Sequence, residues 1–158
     1  MKITWKDFSI DFSNIDKNKL IADWIWLLGN DKEPIIISSI GDMFLHDRNG
    51  KIYWLNVGEG LLDLVSDNIA DFKIKLKDDS QVDEWFMIGL VQQIKESGLE
   101  LVDSKLYGYK KLPIIGGDYI PNNFELTDLE VHFSLAGQIH KQIKNLPNGT
   151  KVNFKVVD

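Results

Sequence analysis

The 158-residue sequence contains no cysteine, which excludes disulfide scaffolds, Cys-ligated zinc, iron–sulfur clusters and thiol nucleophiles. It contains one arginine, Arg48, although arginine is the residue that grips phosphate and reads guanine. No apolar run approaches the roughly 18 residues of a membrane-spanning helix, and the N-terminal residues lack the apolar stretch of a signal peptide. We therefore expect a cytoplasmic protein that binds neither membranes nor nucleic acid.

Motifs that carry chemistry are also missing. The three histidines, His46, His132 and His140, show no metal-binding spacing, and the serines form no Gly-x-Ser-x-Gly elbow. The glycines form no phosphate-binding loop. We predict no catalytic residue, no metal and no cofactor, and hence a protein that is not an enzyme. The enzyme alternative stays open, and its sign would be His132, His140 and carboxylates within hydrogen-bond reach in one cleft.

Acidic residues are unevenly distributed along the chain. The net charge of −6 divides into −8 for residues 1–104 and +2 for residues 105–158. An acidic surface steers a protein towards a basic partner, and tyrosines beside lysines are typical of a protein-binding rim. The sequence therefore predicts a protein partner, bound in part through acids in an exposed turn at 78–79. The candidate partner-binding residues are Asp78, Asp79, Tyr107, Tyr109, Lys110, Lys111 and His132.

The apolar content of 44% is ample for one packed domain over residues 1–158. A tight hairpin over 43–55 is the strongest local signal, because two apolar runs flank Asn49-Gly50. The hairpin closes either as a two-residue loop, which places Leu45 opposite Trp54, or as a type I turn that ends at Gly50. Both of its faces are partly apolar, so we expect it to be central in a sheet. The side chains expected in the core are Leu45, Trp54, Trp85 and Phe86.

The remaining pattern predicts an α+β fold, with an antiparallel sheet around this hairpin and three to four helices packed on it. Helices are predicted over 15–28, 65–76, 82–97 and 135–144. The first would be capped by Ser13 or Asp16 and end at Gly29, and the third would begin at a capping box over 80–83. Strands are predicted over 34–40, 129–134 and 152–156, and a loop-rich stretch over 105–125.

Five stretches, with their order along the chain, resemble a known bacterial family. They are residues 37–45 (ISSIGDMFL), 50–60, 112–119, 131–140 and 145–151. The family is a domain of unknown function that is also labelled as the C-terminal domain of type VI secretion DNase-immunity proteins. The resemblance covers about residues 20–153 and leaves 1–19 as a short N-terminal leader. It implies an α+β fold and, for some members, neutralisation of a secreted toxin, and it implies no catalytic or metal-binding residue.

The sequence thus predicts a non-enzymatic, protein-binding module that neutralises a type VI, nuclease-like toxin. The predicted partner is a protein, most plausibly a basic one. The first alternative is a small-molecule or peptide-sensing module, which would need a sizeable apolar pocket with a few converging polar groups. The second alternative is an uncharacterised enzyme.

Overall fold

Four antiparallel strands form the larger of two sheets, in the order β1-β2-β3-β4. In the computed structural model, which describes residues 4–153, the strands are β1 (Glu33–Ile37), β2 (Met43–His46), β3 (Ile52–Asn56) and β4 (Leu61–Ser66). The predicted hairpin is confirmed, and its two strands are the inner strands of this sheet. Strand β4 was missed, because its neighbouring leucines show no clear alternation with polar residues.

The register of the hairpin differs by one residue from the two-residue loop. Leu45 lies opposite Tyr53 rather than Trp54. The carboxylate of Asp47 accepts hydrogen bonds from two backbone N–H groups of the turn, and Gly50 has φ +80°. This is the second of the two alternatives, a type I turn that ends at Gly50, and it lengthens the loop by one residue.

The N-terminal helical region consists of short segments. They are α1 (Trp5–Phe8), α2 (Lys17–Ile21), a 3-10 turn (Ala22–Trp24) and α3 (Ile25–Leu28). Asp16 caps α2 and Gly29, with φ +73°, ends α3, as predicted. Trp5 and Phe8, in the stretch expected to be a leader, pack against the ring of Phe86. Residues of α1 therefore contribute to the packed core.

Helices of the middle region begin and end differently from their prediction. They are α4 (Ile69–Lys75), α5 (Asp79–Phe86) and α6 (Ile88–Glu96). The predicted helix over 65–76 begins later, because its first two residues belong to β4. The predicted helix over 82–97 is two helices, separated by Met87 in the left-handed conformation at φ +48°. Its cap is Asp78, whose side chain accepts from the Gln81 N–H, rather than the box over 80–83.

The stretch predicted to be loop-rich contains a second sheet. Strand β5 (Lys105–Tyr109) pairs with β6 (Phe124–Asp128), and two 3-10 turns lie between them. Residues 129–134, predicted to be a strand, begin the long helix α7 (Leu129–Ile143). Alternating apolar residues at 129, 131 and 133 misled the prediction, whereas the buried face of α7 recurs at helical steps. Residues 152–153 form no strand, and the rest of the predicted strand over 152–156 lies outside the described residues.

The core occupies both faces of the larger sheet. One face, with Leu45 and Leu55, packs against α2 and α7. The other face, with Phe44 and Trp54, packs against side chains of α4 and α5. Leu45, Trp54, Trp85 and Phe86 are all buried, as predicted. The α+β fold is confirmed, although breaks at 22–24 and at Met87 make the helices shorter and more numerous than the three to four expected. Within residues 4–153, no helix is long and apolar enough to cross a membrane.

Candidate functional site

Large apolar side chains are exposed along β4 and α4. Leu61 and Leu64 of the edge strand are 55% and 50% exposed, and Ile69 and Ile74 of α4 are 48% and 66% exposed. The opposite side of α4 is held in the core by the buried Phe72. Of these side chains, Leu64 and Ile74 line one hollow, and exposed apolar side chains that share a surface are a common feature of interaction sites.

Carboxylates surround these apolar side chains. Residues 61–84 carry seven acids and three lysines, a net charge of −4, and every one of the seven acids belongs to an exposed residue. We call the exposed side chains of residues 61–84 the acidic edge surface. Its acids are Asp63, Asp67, Asp71, Asp78, Asp79, Asp83 and Glu84.

Two open hollows make the acidic edge surface continuous. The first, of about 390 Å³, is lined by residues of β4 and α4 that include Leu64, Asp67 and Ile74. The second, of about 530 Å³, runs from Ile74 to the start of α5 at Asp78. Shallow hollows of this kind suit the side chains of a protein partner better than an enclosed small molecule.

Asp78 and Asp79 lie at the start of α5 and are exposed, within the acidic edge surface. The Asp78 carboxylate accepts a hydrogen bond of 3.0 Å from the Gln81 N–H and so caps the helix. The Asp79 side chain makes no hydrogen bond to any residue from 4 to 153. Asp79 is therefore the freer of the two to contact a partner, because Asp78 also holds its own helix.

The tyrosines and lysines of the candidate set lie apart from this surface and are divided between the interior and solvent. Tyr107 is only 1% exposed, and its hydroxyl donates to the Leu99 carbonyl over 2.8 Å. Burial raises the pKa of Tyr107 to about 12 and that of Tyr109 well above its ordinary value. Lys110 and Lys111 are exposed. The expected rim of tyrosines beside lysines is therefore corrected, since only its lysines reach the surface fully.

His132 is buried and faces the larger sheet. Its Nε2 donates to the Gly41 carbonyl over 2.9 Å, and burial lowers the pKa of the ring to about 4. His140 lies two turns further along α7, and its Nε2 donates to the Val57 carbonyl over 2.7 Å. The structure therefore corrects the placement of His132 as a surface residue, because its ring joins α7 to a turn of the sheet.

A buried carboxylate, which sequence reasoning missed, completes this junction. Asp42 is fully buried, and its Oδ1 accepts from the Val57 N–H over 2.9 Å. Burial raises the pKa of Asp42 to about 7 against the lowering effect of that hydrogen bond. An acid inside the apolar run 40–45 was the available signal. The stretches 37–45, 50–60 and 131–140 thus meet in the interior, where they join the sheet to α7.

The enzyme alternative calls for His132, His140 and carboxylates in one cleft, but the His132 ring is buried against the Gly41 carbonyl. Within residues 4–153, no group of three or more histidines and acids lies close enough to hold a metal ion. The Nε2 atoms of His132 and His140 donate to backbone carbonyls, which orients the two rings.

A groove of about 680 Å³ beside the end of α7 is large enough for the small molecule of a sensing module, as is a groove of about 850 Å³ between α1, β1 and residues 101–105. The charged groups of the groove beside α7 are engaged by the protein itself. Glu59 accepts a hydrogen bond of 2.7 Å from the Tyr119 hydroxyl, and Lys144 lies 5.1 Å from the centre of the Trp26 ring. Because Glu59 and Lys144 already have partners in the protein, we favour the acidic edge surface as the candidate site.

Comparison with known proteins agrees with the predicted resemblance. Residues 66–140 match a family model described as T6SS immunity protein Tdi1, C-terminal. The model describes the family that the sequence resembles, and it matches just under half of the chain. The matched residues include α4, α5 and most of α7. No curated protein matches the chain.

Proposed function

Because residues 66–140 match a type VI secretion immunity domain, we propose that this protein is an immunity protein that binds and blocks a secreted toxin. The acidic edge surface is the contact, and the toxin is a basic, nuclease-like protein. The protein acts in the cytoplasm of the cell that it protects, without enzymatic activity. The observation that carries the proposal is the exposure of Leu61, Leu64, Ile69 and Ile74 among seven carboxylates.

Two physical roles follow from this mixture of side chains. The carboxylates accelerate encounter with a basic surface and orient the two proteins, because opposite potentials steer association. The apolar side chains then hold the complex, because their burial removes apolar area from water. A nuclease presents a basic surface to DNA, so a net charge of −4 in residues 61–84 is complementary to it.

Co-expression with the neighbouring reading frame tests the proposal. We expect that frame to be toxic alone, and this protein to restore growth and to co-purify with its product. The edge variant carries Asp67→Lys and Asp79→Lys, because neither side chain makes a hydrogen bond or an ion pair with any residue from 4 to 153. The control variant carries Glu125→Lys on β6 and Glu130→Lys on α7, so its net charge changes by the same amount as that of the edge variant. Glu130 matches Asp79, because each is an exposed acid in the first turn of a helix.

The edge variant should associate about tenfold more slowly than the control variant, and the difference should shrink as salt screens the charges. If both variants associate equally slowly, the acidic edge surface is not the contact. If the neighbouring frame is toxic and this protein neither restores growth nor co-purifies, the immunity function is refuted.

A further inference from the structure

We propose that the toxin contributes an extended basic segment that pairs with β4 and becomes a fifth strand of the larger sheet. This inference rests on the proposed function and specifies how the partner binds. Addition of a strand to an open sheet edge is a recurrent mode of peptide recognition, in which backbone hydrogen bonds supply affinity and alternate side chains supply specificity.

The outer edge of β4 is open. Strand β4 pairs with β3 on one side and is the last strand of the sheet. Half of the backbone groups of an antiparallel edge strand point away from its neighbour. Within residues 4–153, no hydrogen bond reaches the backbone of Leu61–Leu64 from that outer side.

The open edge is short and has defined ends. Tyr53 pairs with Leu64 and Ile52 with Ser66, which leaves Val65 in a bulge. The Lys75 Nζ donates to the Val65 carbonyl and closes the edge at that point. The other end is bounded by the turn before Leu61. Bulges and lysines are the ordinary protection of a sheet edge, and here they protect only the end of β4. A partner strand of about four residues fits between these ends.

Side chains of the open edge specify the chemistry of that segment. Leu61 and Asp63 lie on one face of the sheet, and Leu62 and Leu64 lie on the other. A partner strand would place a lysine or arginine beside Asp63 and apolar side chains beside Leu64. A second copy of this chain is the wrong partner, because its own β4 would bring another Asp63 and further acids to the same edge.

Residue-resolved amide hydrogen exchange on the full chain tests the inference. Two probes are used: the product of the neighbouring reading frame, and a capped hexapeptide of alternating Lys and Val, with a Glu/Val hexapeptide as its control. We expect outward-facing amides of residues 61–64 to exchange on the order of tenfold more slowly with the toxin and with the Lys/Val peptide, but not with the Glu/Val peptide. Leu64→Glu should abolish this protection, whereas Val102→Glu, at a similarly exposed residue outside β4, should retain it.

The outcomes separate this inference from the proposed function. Toxin binding that leaves exchange at 61–64 unchanged overturns strand addition and leaves immunity intact. Protection by the Lys/Val peptide without toxin binding shows that the edge of β4 accepts a basic strand, but it refutes immunity and with it the toxin as the source of that strand. The protein without either probe is the last comparison. If its amides at 61–64 exchange more slowly as the protein concentration rises, a second copy of the chain is the occupant and the inference is overturned. Unchanged exchange at 61–64 with both probes overturns strand addition, and it refutes immunity as well if the toxin also fails to bind.

Discussion

His132 can hold the Gly41 carbonyl only because Gly41 has no side chain. A Cβ at Gly41 would lie 2.1 Å from the Nε2 of His132, and the backbone there has φ +86°. His140, two turns further along α7, fits against Gly60 in the same way. A Cβ at Gly60 would lie 2.4 Å from the Nδ1 of His140, and the backbone there has φ +68°. Each histidine of α7 thus fits against a glycine in a turn of the larger sheet, and this pair of contacts fixes the helix on the sheet.

Gly41→Ala should destabilise the fold by about 2–4 kcal/mol. The change strains a left-handed backbone and displaces the His132 ring, which leaves a buried carbonyl without its donor. Gly50→Ala is the matched control, because Gly50 has φ +80° but no atom within 4 Å of the added Cβ. Its cost should be near 1 kcal/mol, from backbone strain alone. Chemical denaturation measures both values, and equal losses would refute the role of the His132 contact.

Asp42→Asn should make the protein more sensitive to acid. Between about pH 4 and 6.5 the unfolded chain protonates His132 and the folded chain does not, so His132 alone lowers stability as the pH falls. Over nearly the same range, from 3.8 to about 7, folded Asp42 keeps a proton that the unfolded chain releases, which lowers stability as the pH rises. The two effects oppose each other in the native protein.

Removal of the Asp42 carboxyl leaves the histidine effect uncompensated. The unfolding free energy of Asp42→Asn should therefore fall by about 3 kcal/mol more than that of the native protein between pH 6.5 and 4. Denaturation at a series of pH values measures the slope. Asp67→Asn, at an exposed acid, should leave the slope unchanged. Parallel curves for Asp42→Asn and the native protein would contradict the assignment.

Asp78→Ala and Asp79→Ala should separate stability from association. Asp78→Ala removes the cap of α5 and should cost about 1 kcal/mol, whereas Asp79→Ala should cost only a few tenths. Each removes one charge from the acidic edge surface, so each should slow toxin association to a similar extent. Denaturation and stopped-flow association measure the two effects. If Asp78→Ala slows association and Asp79→Ala does not, the slower association reflects damage to α5 rather than the lost charge.

Phe44→Ala should destabilise the fold by about 3–5 kcal/mol. Phe44 is buried and its ring packs against the rings of Trp54, Phe72, Trp85 and Phe86, which belong to β3, α4 and α5. The loss of these contacts should also loosen α4 and hence the acidic edge surface. Trp5→Ala, at a residue that is 46% exposed, is the control and should cost much less. Thermal or chemical denaturation gives the comparison.

The positions of helix ends and of the central hairpin could be predicted where local chemistry decides them. Asn49-Gly50 requires a tight turn, and Gly29 ends a helix because it adopts a positive φ that other residues avoid. The break at Met87 could not be predicted in this way. Neither glycine nor proline marks it, and the apolar spacing continues across it, so the packing of α5 and α6 against different parts of the core imposes it.

The candidate site was predicted in part. Asp78 and Asp79 could be placed on an exposed acidic surface, because charged residues in a polar stretch stay in water. The exposed leucines of β4 could not be found, because an apolar residue in a sequence is expected in the core. Their exposure follows from the order of the strands, which leaves β4 at the edge of the sheet, with no further strand beyond it within residues 4–153.

Composition and local pattern by themselves determined an acidic, cysteine-free α+β protein, its central hairpin, its large buried aromatic side chains and its family resemblance. These features depend on neighbouring residues and on the burial of apolar area, which a linear sequence displays. Only the tertiary structure decided that Tyr107 and His132 are buried, that residues 129–134 are helical, and that Leu61 and Leu64 face solvent. Each of these outcomes depends on which distant segment lies beside the residue, and contacts between distant segments leave no local periodicity in the sequence.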